Sequence, residues 1–360
     1  MEKKLLSTAI VGALAASMSL AANADVTVFG HLDTSMNATD ADGGTDDINM
    51  DCTTCSVGFK GSEDLGNGLK AIFKLDFQFD MTERNTASSG NADGNNASQI
   101  RDRDQWLGMA GNFGKVRFGT ISTGYKSTGA MIDPLYRTAL QARSRGLQSD
   151  MHNGAGENGQ GRMENHVRYD SMSMGGFKAI VDYSFDSTDS PTNRDDDAYG
   201  LTGLYENGPI LGYASYVTND QGGEDSAWKL GGSYAMGAIK VFGQYEVDDG
   251  LISSFGSETP GVTNNIDGAD VWHLGGTFTM GNNMLYLAYG QGDERSDNTG
   301  GYDSWTLAAT HNMSKRTMIY TGYTTTDCDD ATGTTVTSLC TNTASGGDVD
   351  QFSVGIKHKF

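Results

Sequence analysis

Two residues on one short stretch invite a catalytic reading. In RMENHVRYD, Glu164 and His166 stand two apart, the spacing that puts both side chains on one face of a β-strand and within touching distance. A carboxylate beside an imidazole is the beginning of a general-base site. The remainder of such a site is missing. The sequence contains no G-x-S-x-G, H-E-x-x-H or P-loop, and its six histidines are scattered. A salt link between Glu164 and His166 is the simpler role, and no catalytic residue is assigned. The CxxC of Cys52 and Cys55 has no second CxxC or paired histidines with which to hold zinc, and DADGG lacks the full EF-hand spacing. No metal or other cofactor is expected.

What remains is charge placed where a field would be more useful than a bond. Lys60, Lys74, Arg103, Arg162 and Arg168 are interleaved with apolar residues, and a long polar segment adds Arg137, Arg143 and Arg145 after the Asp133 of IDPLY. Charges of opposite sign on facing walls of a narrow passage orient solutes, and rings of one sign select ions. A low-dielectric wall focuses such fields. Side chains that work this way must be carried by elements with one face in water and the other face in something apolar.

The sequence supplies such elements. In LKAIFKLDFQF, Leu69, Ala71, Phe73, Leu75, Phe77 and Phe79 share one face, while Lys70, Lys74, Asp76 and Gln78 share the other, with Ile72 the apolar exception. FKAIVDYSF and NMLYLAYG behave similarly. Seven short turns (63–68, 111–115, 171–176, 206–209, 235–238, 280–283, 312–316) alternate with eight long Gly/Asp/Asn-rich loops (38–51, 80–100, 120–160, 186–197, 219–226, 248–270, 293–302, 327–348). This gives about sixteen antiparallel strands between Val26 and Phe360, an up-and-down transmembrane β-barrel with long loops on one side and short turns on the other. Sixteen strands leave a water-filled lumen. A β-sandwich or propeller would bury one face of each strand in protein, which does not suit a polar face carrying Lys, Arg and Asp. Strand parity then assigns the side chains. Met163, Val167, Tyr169 and Trp106 point outward; Arg162, Glu164, His166, Arg168, Arg103, Lys60 and Lys74 point inward.

The N-terminus fixes the compartment. Lys3 and Lys4 precede an apolar run that reaches Ala22-Asn23-Ala24, the pattern of a secretory signal peptide over 1–24, with the barrel occupying 25–360. A retained helical anchor is the alternative. Removing 1–24 takes away one acid and two bases and moves the formal charge from -21 to -22. So acidic a chain is a poor nucleic-acid binder. Composition agrees with a wall between lipid and water: 49 Gly but 4 Pro, with 15 Tyr and 14 Phe and a mean hydropathy of -0.43. Four cysteines in an exported chain imply disulfides, and Cys52–Cys55 with Cys328–Cys340 is the favoured of three connectivities.

Specific stretches carry a resemblance. VTVFGHLD, SVGFKGSEDLGNGLKAIFKLDFQF, DRDQWLGMAGNFGKVRFGT, RMENHVRYDSMSMGGF and the terminal GIKHKF make the chain similar to the Gram-negative general porins, the trimeric diffusion porins of proteobacteria, over its whole mature length. The resemblance implies a homotrimer in the outer membrane and a third extracellular loop, 120–160, folded inward to constrict the pore. The apolar cluster Met131, Ile132, Pro134, Leu135 and Tyr136 fits such a loop better than an exposed loop or a trimer contact. Asp133 sits where the family's acidic loop residue lies, and His31, after FG, where relatives carry a lumen base. The family often has an arginine where this chain has Ser56. The terminal Phe360 is, in related porins, read by the barrel-assembly machinery.

The function expected from these readings is passive diffusion of small hydrophilic solutes and ions through an outer-membrane channel. A basic constriction behind acidic loops (DATDADGGTDD, DSTDSPTNRDDD) gives weak anion preference. The alternatives are a solute-specific porin and a plugged structural or adhesive barrel. The acidic loops are also candidates for divalent cations that bridge to lipopolysaccharide.

Overall fold

The structure, a computed structural model, describes residues 25–42, 46–82, 100–149, 161–185, 197–219, 225–249, 251, 270–294, 301–329 and 347–360. Residues 1–24, the expected signal peptide, and Cys340 lie outside the described residues.

Alternation produces what it calls for. The strands are β1 (Asp25–Ala41), β2 (Asp47–Asp51), β3 (Ser56–Gly66), β4 (Leu69–Gln78), β5 (Arg101–Gly111), β6 (Gly114–Ser122), β7 (Arg162–Asp170), β8 (Phe177–Ser184) and β9 (Ala198–Asn207). They continue as β10 (Ile210–Asn219), β11 (Asp225–Met236), β12 (Ile239–Asp249), β13 (Val271–Met280), β14 (Asn283–Gly292), β15 (Tyr302–Asn312), β16 (Thr317–Cys328) and β17 (Asp348–Lys359). Apart from β2 and β3, which both pair with β1, consecutive strands pair antiparallel, and β1 also pairs with β17. The sheet is thereby closed, and among the described residues every strand but the short β2, which pairs with β1 alone, has a hydrogen-bonding partner on each side, as hydrocarbon surroundings require.

Sixteen staves make up the wall, because β2 and β3 run end to end along the same edge of β1. Asp51 faces Ser35, and Ser56 faces His31. Three residues of β1 therefore oppose four of the partner, Cys52–Cys55, and the stave carries a bulge there. The expected 38–51 loop is shorter than its composition suggests, since strand structure runs to Ala41 and resumes at Asp47.

Burial confirms which face meets lipid. On β14, Leu285, Leu287 and Tyr289 are 47%, 57% and 40% exposed, while Tyr286 and Ala288 are 1% exposed. Aromatic pairs cross neighbouring staves near the long-loop rim: Tyr199–Tyr216, Trp228–Tyr245, Trp272–Tyr289 and Trp305–Tyr323. They form part of an interfacial girdle. At the other rim the seam closes on Phe360, whose amide and carbonyl exchange hydrogen bonds with Gly30. Its ring fills the space that a side chain at Gly30 would need.

Candidate functional site

The third loop crosses the lumen. After Ser122 the chain leaves the wall at Thr123, whose hydroxyl accepts from Lys126 N and caps helix α1 (Gly124–Ile132). Gly124 N donates to Asp182 Oδ2 on β8 at 2.8 Å. Beyond the helix the loop lays Ile132, Leu135, Leu140 and Leu147 against Tyr213, Phe242, Tyr286 and Tyr320, which point inward from the far staves. Polar ties fix both ends of the segment. Glu246 on β12 accepts from Tyr125 Oη at 3.1 Å and from Ser149 Oγ at 2.7 Å and Ser149 N at 3.2 Å. Tyr320 Oη accepts from Ala139 N at 3.2 Å and donates to Asp33 Oδ1 at 2.9 Å.

On the near wall the expected bases gather with acids that the sequence reading passed over. Asp104 binds Lys74 Nζ at 3.0 Å and Arg162 Nε at 3.1 Å. Asp76 lies 3.4 Å from Arg103 Nε and 3.3 Å from Lys74 Nζ. Arg168 pairs with Asp170 at 2.9 Å and donates to the Ser122 carbonyl at 2.6 Å. The Lys60 and Lys74 ammonium groups lie 5.4 and 5.5 Å from the centre of the Phe29 ring. His31 is buried at 2% exposure, beside Ser56 in register.

Three orientations differ from strict parity, for one reason. On β5, Leu75 faces Gln105 but Phe77 faces Asp102, so Arg103 and Asp104 both oppose Asp76 and both turn inward. Past that bulge Trp106 opposite Lys74 also faces the lumen, contrary to its outward assignment, and Leu107 is exposed at 63%. On β7 the register slips between Gly119 and Ile121, and Asn165 takes φ +44. This buries Met163 to 1%, packed in a cluster with Tyr125, and leaves Glu164 exposed. The expected Glu164–His166 pair does not form; His166 Nε2 instead lies 3.0 Å from Asp182 Oδ1.

The loop's charges divide in function. Asp133 faces its own loop, with Oδ1 accepting from Leu135 N and Oδ2 from Ala142 N, each at 2.9 Å. Burial pushes its carboxyl up to about 6 against the pull of those amides, Lys357 and Arg143. Arg137 reaches stave two: Nη2 donates to the Thr54 carbonyl at 2.6 Å and to Ser56 Oγ at 2.8 Å, and Nε to Thr54 Oγ1 at 3.0 Å. A guanidinium thus stands against the wall position from which arginine is missing. Burial, then the charge of Arg103, lowers Arg137 to about 10, so it stays a cation at neutral pH. Arg143 stacks 4.9 Å over Tyr136 and feels the charges of Arg103 and Arg162. Arg145 donates to the Ala139 carbonyl at 2.8 Å. Lys126, which the sequence reading missed, is buried within the field of Arg162, Arg143 and Arg103.

Cys52 and Cys55 are joined to each other. Cys328 is disulfide-bonded as well, and Cys340, its expected partner, lies outside the described residues.

Known proteins share this design. A model of the Gram-negative porin family matches residues 7–331. Outer membrane porin protein 32 of Delftia acidovorans is 29% identical over 336 residues, covering 89% of this chain and 88% of that protein. Major outer membrane protein P.IB of Neisseria sicca is 24% identical over 383 residues, covering 96% and 97% of the two chains. Among solved structures, an anion-selective porin from Comamonas acidovorans superposes with a TM-score of 0.73 at 25% identity, covering 94% of this chain and all of that one. The trimer form of OmpT from Vibrio cholerae shares the fold, with a TM-score of 0.65 at 16% identity, covering 94% of this chain and 99% of that one.

Proposed function

The chain belongs to the Gram-negative porin family of the outer membrane, and from that premise we propose that it is a passive diffusion channel with a basic eyelet and weak anion preference. The carrying observation is the one-sided charge of the inner loop. Between Thr123 and Ser149 it has Lys126, Arg137, Arg143 and Arg145 against a single acid, Asp133, whose two oxygens are taken by loop amides. Arg103 and Arg162 on the near wall extend the same positive region. An eyelet with cations on both sides favours an anion at the narrowest point, where the low-dielectric wall focuses the field. Wall acids temper it: Asp76 and Asp104 neutralise part of the cluster, which is why the preference is weak. The Comamonas relative, an anion-selective porin, supports the reading by likeness.

The remaining parts of the proposal follow the family. Residues 1–24 direct export, three copies assemble, the outer staves and rims meet lipid and lipopolysaccharide, and Phe360 is presented to the assembly machinery. Planar-bilayer recording tests the central claim. Discrete conductance steps with a reversal potential of anion sign in a KCl gradient are expected, reduced by Arg143→Ala. A clear cation preference would overturn the basic eyelet, and a membrane without steps would overturn the channel.

A further inference from the structure

The bulge in the second stave lies where the inner loop touches the wall. Between Asp51 and Ser56 the stave consists of Cys-Thr-Thr-Cys, opposed by only three residues of β1. An insertion of this kind, bonded to the next stave at the Cys55 carbonyl, which accepts from Phe79 N at 3.0 Å, has more freedom than the regular ladder on either side of it. Here the Cys52–Cys55 bond closes it into a small ring. Cys55 is fully buried, and its sulfur receives Asp33 N at 3.3 Å, which ties the ring to β1. Within the ring Thr54 sits at φ +52. A β-branched residue rarely adopts that region, and such strain persists where the surroundings over-determine it.

The strained conformation has a consequence for the loop. Thr54 turns both its carbonyl and its hydroxyl toward Arg137, and Ser56, one residue beyond the ring, adds a third acceptor. The three hydrogen bonds of this guanidinium therefore all go to a three-residue span at the disulfide. Arg137 is itself at φ +61, held from the loop side by its own amide donating to Gln141 Oε1 at 3.0 Å. We propose that the Cys52–Cys55 ring is a socket that positions Arg137 in the eyelet, so that breaking this one bond changes the conductance and selectivity of the channel. The proposal rests on the eyelet reading above only in that Arg137 borders the ion path. Arg137 is a positioned selectivity residue, and Cys52, Thr54 and Cys55 are the residues that position it.

Opening the ring is a two-electron reduction. An added dithiol transfers two electrons and two protons to the S–S bond, leaves two protein thiols, and is itself oxidised to a cyclic disulfide. Freed of the ring closure, Thr54 relaxes toward negative φ and its carbonyl leaves Arg137.

The test uses the full-length trimer in planar bilayers. Recording begins on the intact channel, dithiothreitol is then added, and protein from the same treatment is checked by mass spectrometry for thiol formation. The Cys52→Ser/Cys55→Ser variant is recorded in parallel, so that neither poor folding of the variant nor poor access of the reductant leaves the question open. Both routes should shift the unit conductance and reduce the anion-to-cation permeability ratio in the direction of Arg137→Ala. Combined with Arg137→Ala, they should add nothing further, since coupled sites are not additive. Cys328→Ser/Cys340→Ser, which removes none of the bonds to the Arg137 guanidinium, should leave both readings unchanged. The socket is refuted if the Cys52/Cys55 variant records like the parent, if its effect adds in full to that of Arg137→Ala, or if the Cys328/Cys340 variant reproduces it. Cation preference in the parent, with the non-additivity intact, would remove the basic-eyelet reading and leave the socket standing.

Discussion

Glu246 is the residue on which the seating of the inner loop should depend most. It is 2% exposed, and one carboxylate receives Tyr125 from the first turn of α1 and the amide and hydroxyl of Ser149 from the far end of the segment. Two points 24 residues apart in sequence are thus pinned to one stave. Replacement by alanine removes both acceptor oxygens, and with them the three bonds from the loop, one from Gln244 Nε2, and a negative neighbour of Lys229. A hydrogen bond to a charged group contributes about 1.5–3 kcal/mol when its donor would otherwise be stranded. Lumen water replaces part of that, so roughly 1 kcal/mol per bond survives and about 3 kcal/mol is lost in all. At about 1.4 kcal/mol per tenfold, the equilibrium between unseated and seated loop shifts about 100-fold toward the unseated form.

Limited trypsinolysis of the folded protein in detergent measures this shift directly. Lys126, Arg137, Arg143 and Arg145 offer cleavage sites that are sheltered while the loop is seated. When reclosing is fast relative to cleavage, the rate follows the population of the open form. Glu246→Ala should therefore be cut about 100-fold faster in this segment, and Glu246→Gln, which keeps one acceptor, by less. Heat stability of the barrel should stay close to the parent value, because the ladder between staves is untouched and the opening is local. A Glu246→Ala protein cut at the parental rate, within about threefold, would refute the reasoning by showing that the apolar contacts hold the loop unaided.

Gly322→Val tests those apolar contacts. A Cβ at 322 would stand 2.5 Å from Leu140 Cδ1 and 2.8 Å from both Ala308 Cβ and the Leu307 carbonyl. Overpacking of this kind costs about 1–3 kcal/mol, and here the loop is the part free to move, so cleavage should accelerate and channel noise rise, with Leu140→Ala partly restoring both. The pH dependence follows from Asp133. Its carboxyl, held at about 6 by burial, lies above the ordinary value of 3.8, so the seated loop binds the proton more tightly than the unseated one. That contribution to seating is complete below about pH 4 and is lost as pH rises through 6. Cleavage by an acid-tolerant protease should be slower at pH 4.5 than at pH 7, both being pH values chosen about those limits, and Asp133→Asn should flatten the difference.

Period-2 alternation was readable at almost every stave, down to Phe352, Val354 and Ile356 facing outward on β17 while Ser353 and Lys357 face inward. Parity is a cumulative count, so a single inserted residue reverses everything after it. That is why Trp106, Met163 and Glu164 were misassigned: each lies beside a bulge, on β5 or β7, and a bulge leaves no apolar signature in one sequence. The loop's apolar residues announced a buried docking face, but not the surface that receives it. Tyr213, Tyr286 and Tyr320 could have been found, since each sits at inward parity on its stave where a water-facing residue is the norm. Glu246 and Thr54 had no such signal, because their value lies in contacts 97 and 83 residues away along the chain.

A selectivity charge carried by the loop, as proposed above, would have a structural consequence. An arginine rooted at position 56 would face the lumen as soon as β3 paired with its neighbours. Here Ser56 occupies that position, and the guanidinium arrives from Arg137. The residues that hold this part of the loop come from four neighbouring staves on the two sides of the seam. Thr54 lies on the second stave, Tyr320 and Asp33 on strands that both pair with β17, and Lys357 on β17 itself, donating to the Tyr136 carbonyl. These positions come within reach of one another only when β17 has paired with β1. Lys357 and Tyr136 are separated by 221 residues, and contacts of such separation form late because closing the intervening chain must come first. The proposed eyelet is therefore completed by the same event that closes the barrel, and an unclosed barrel holds Arg137 in no defined place.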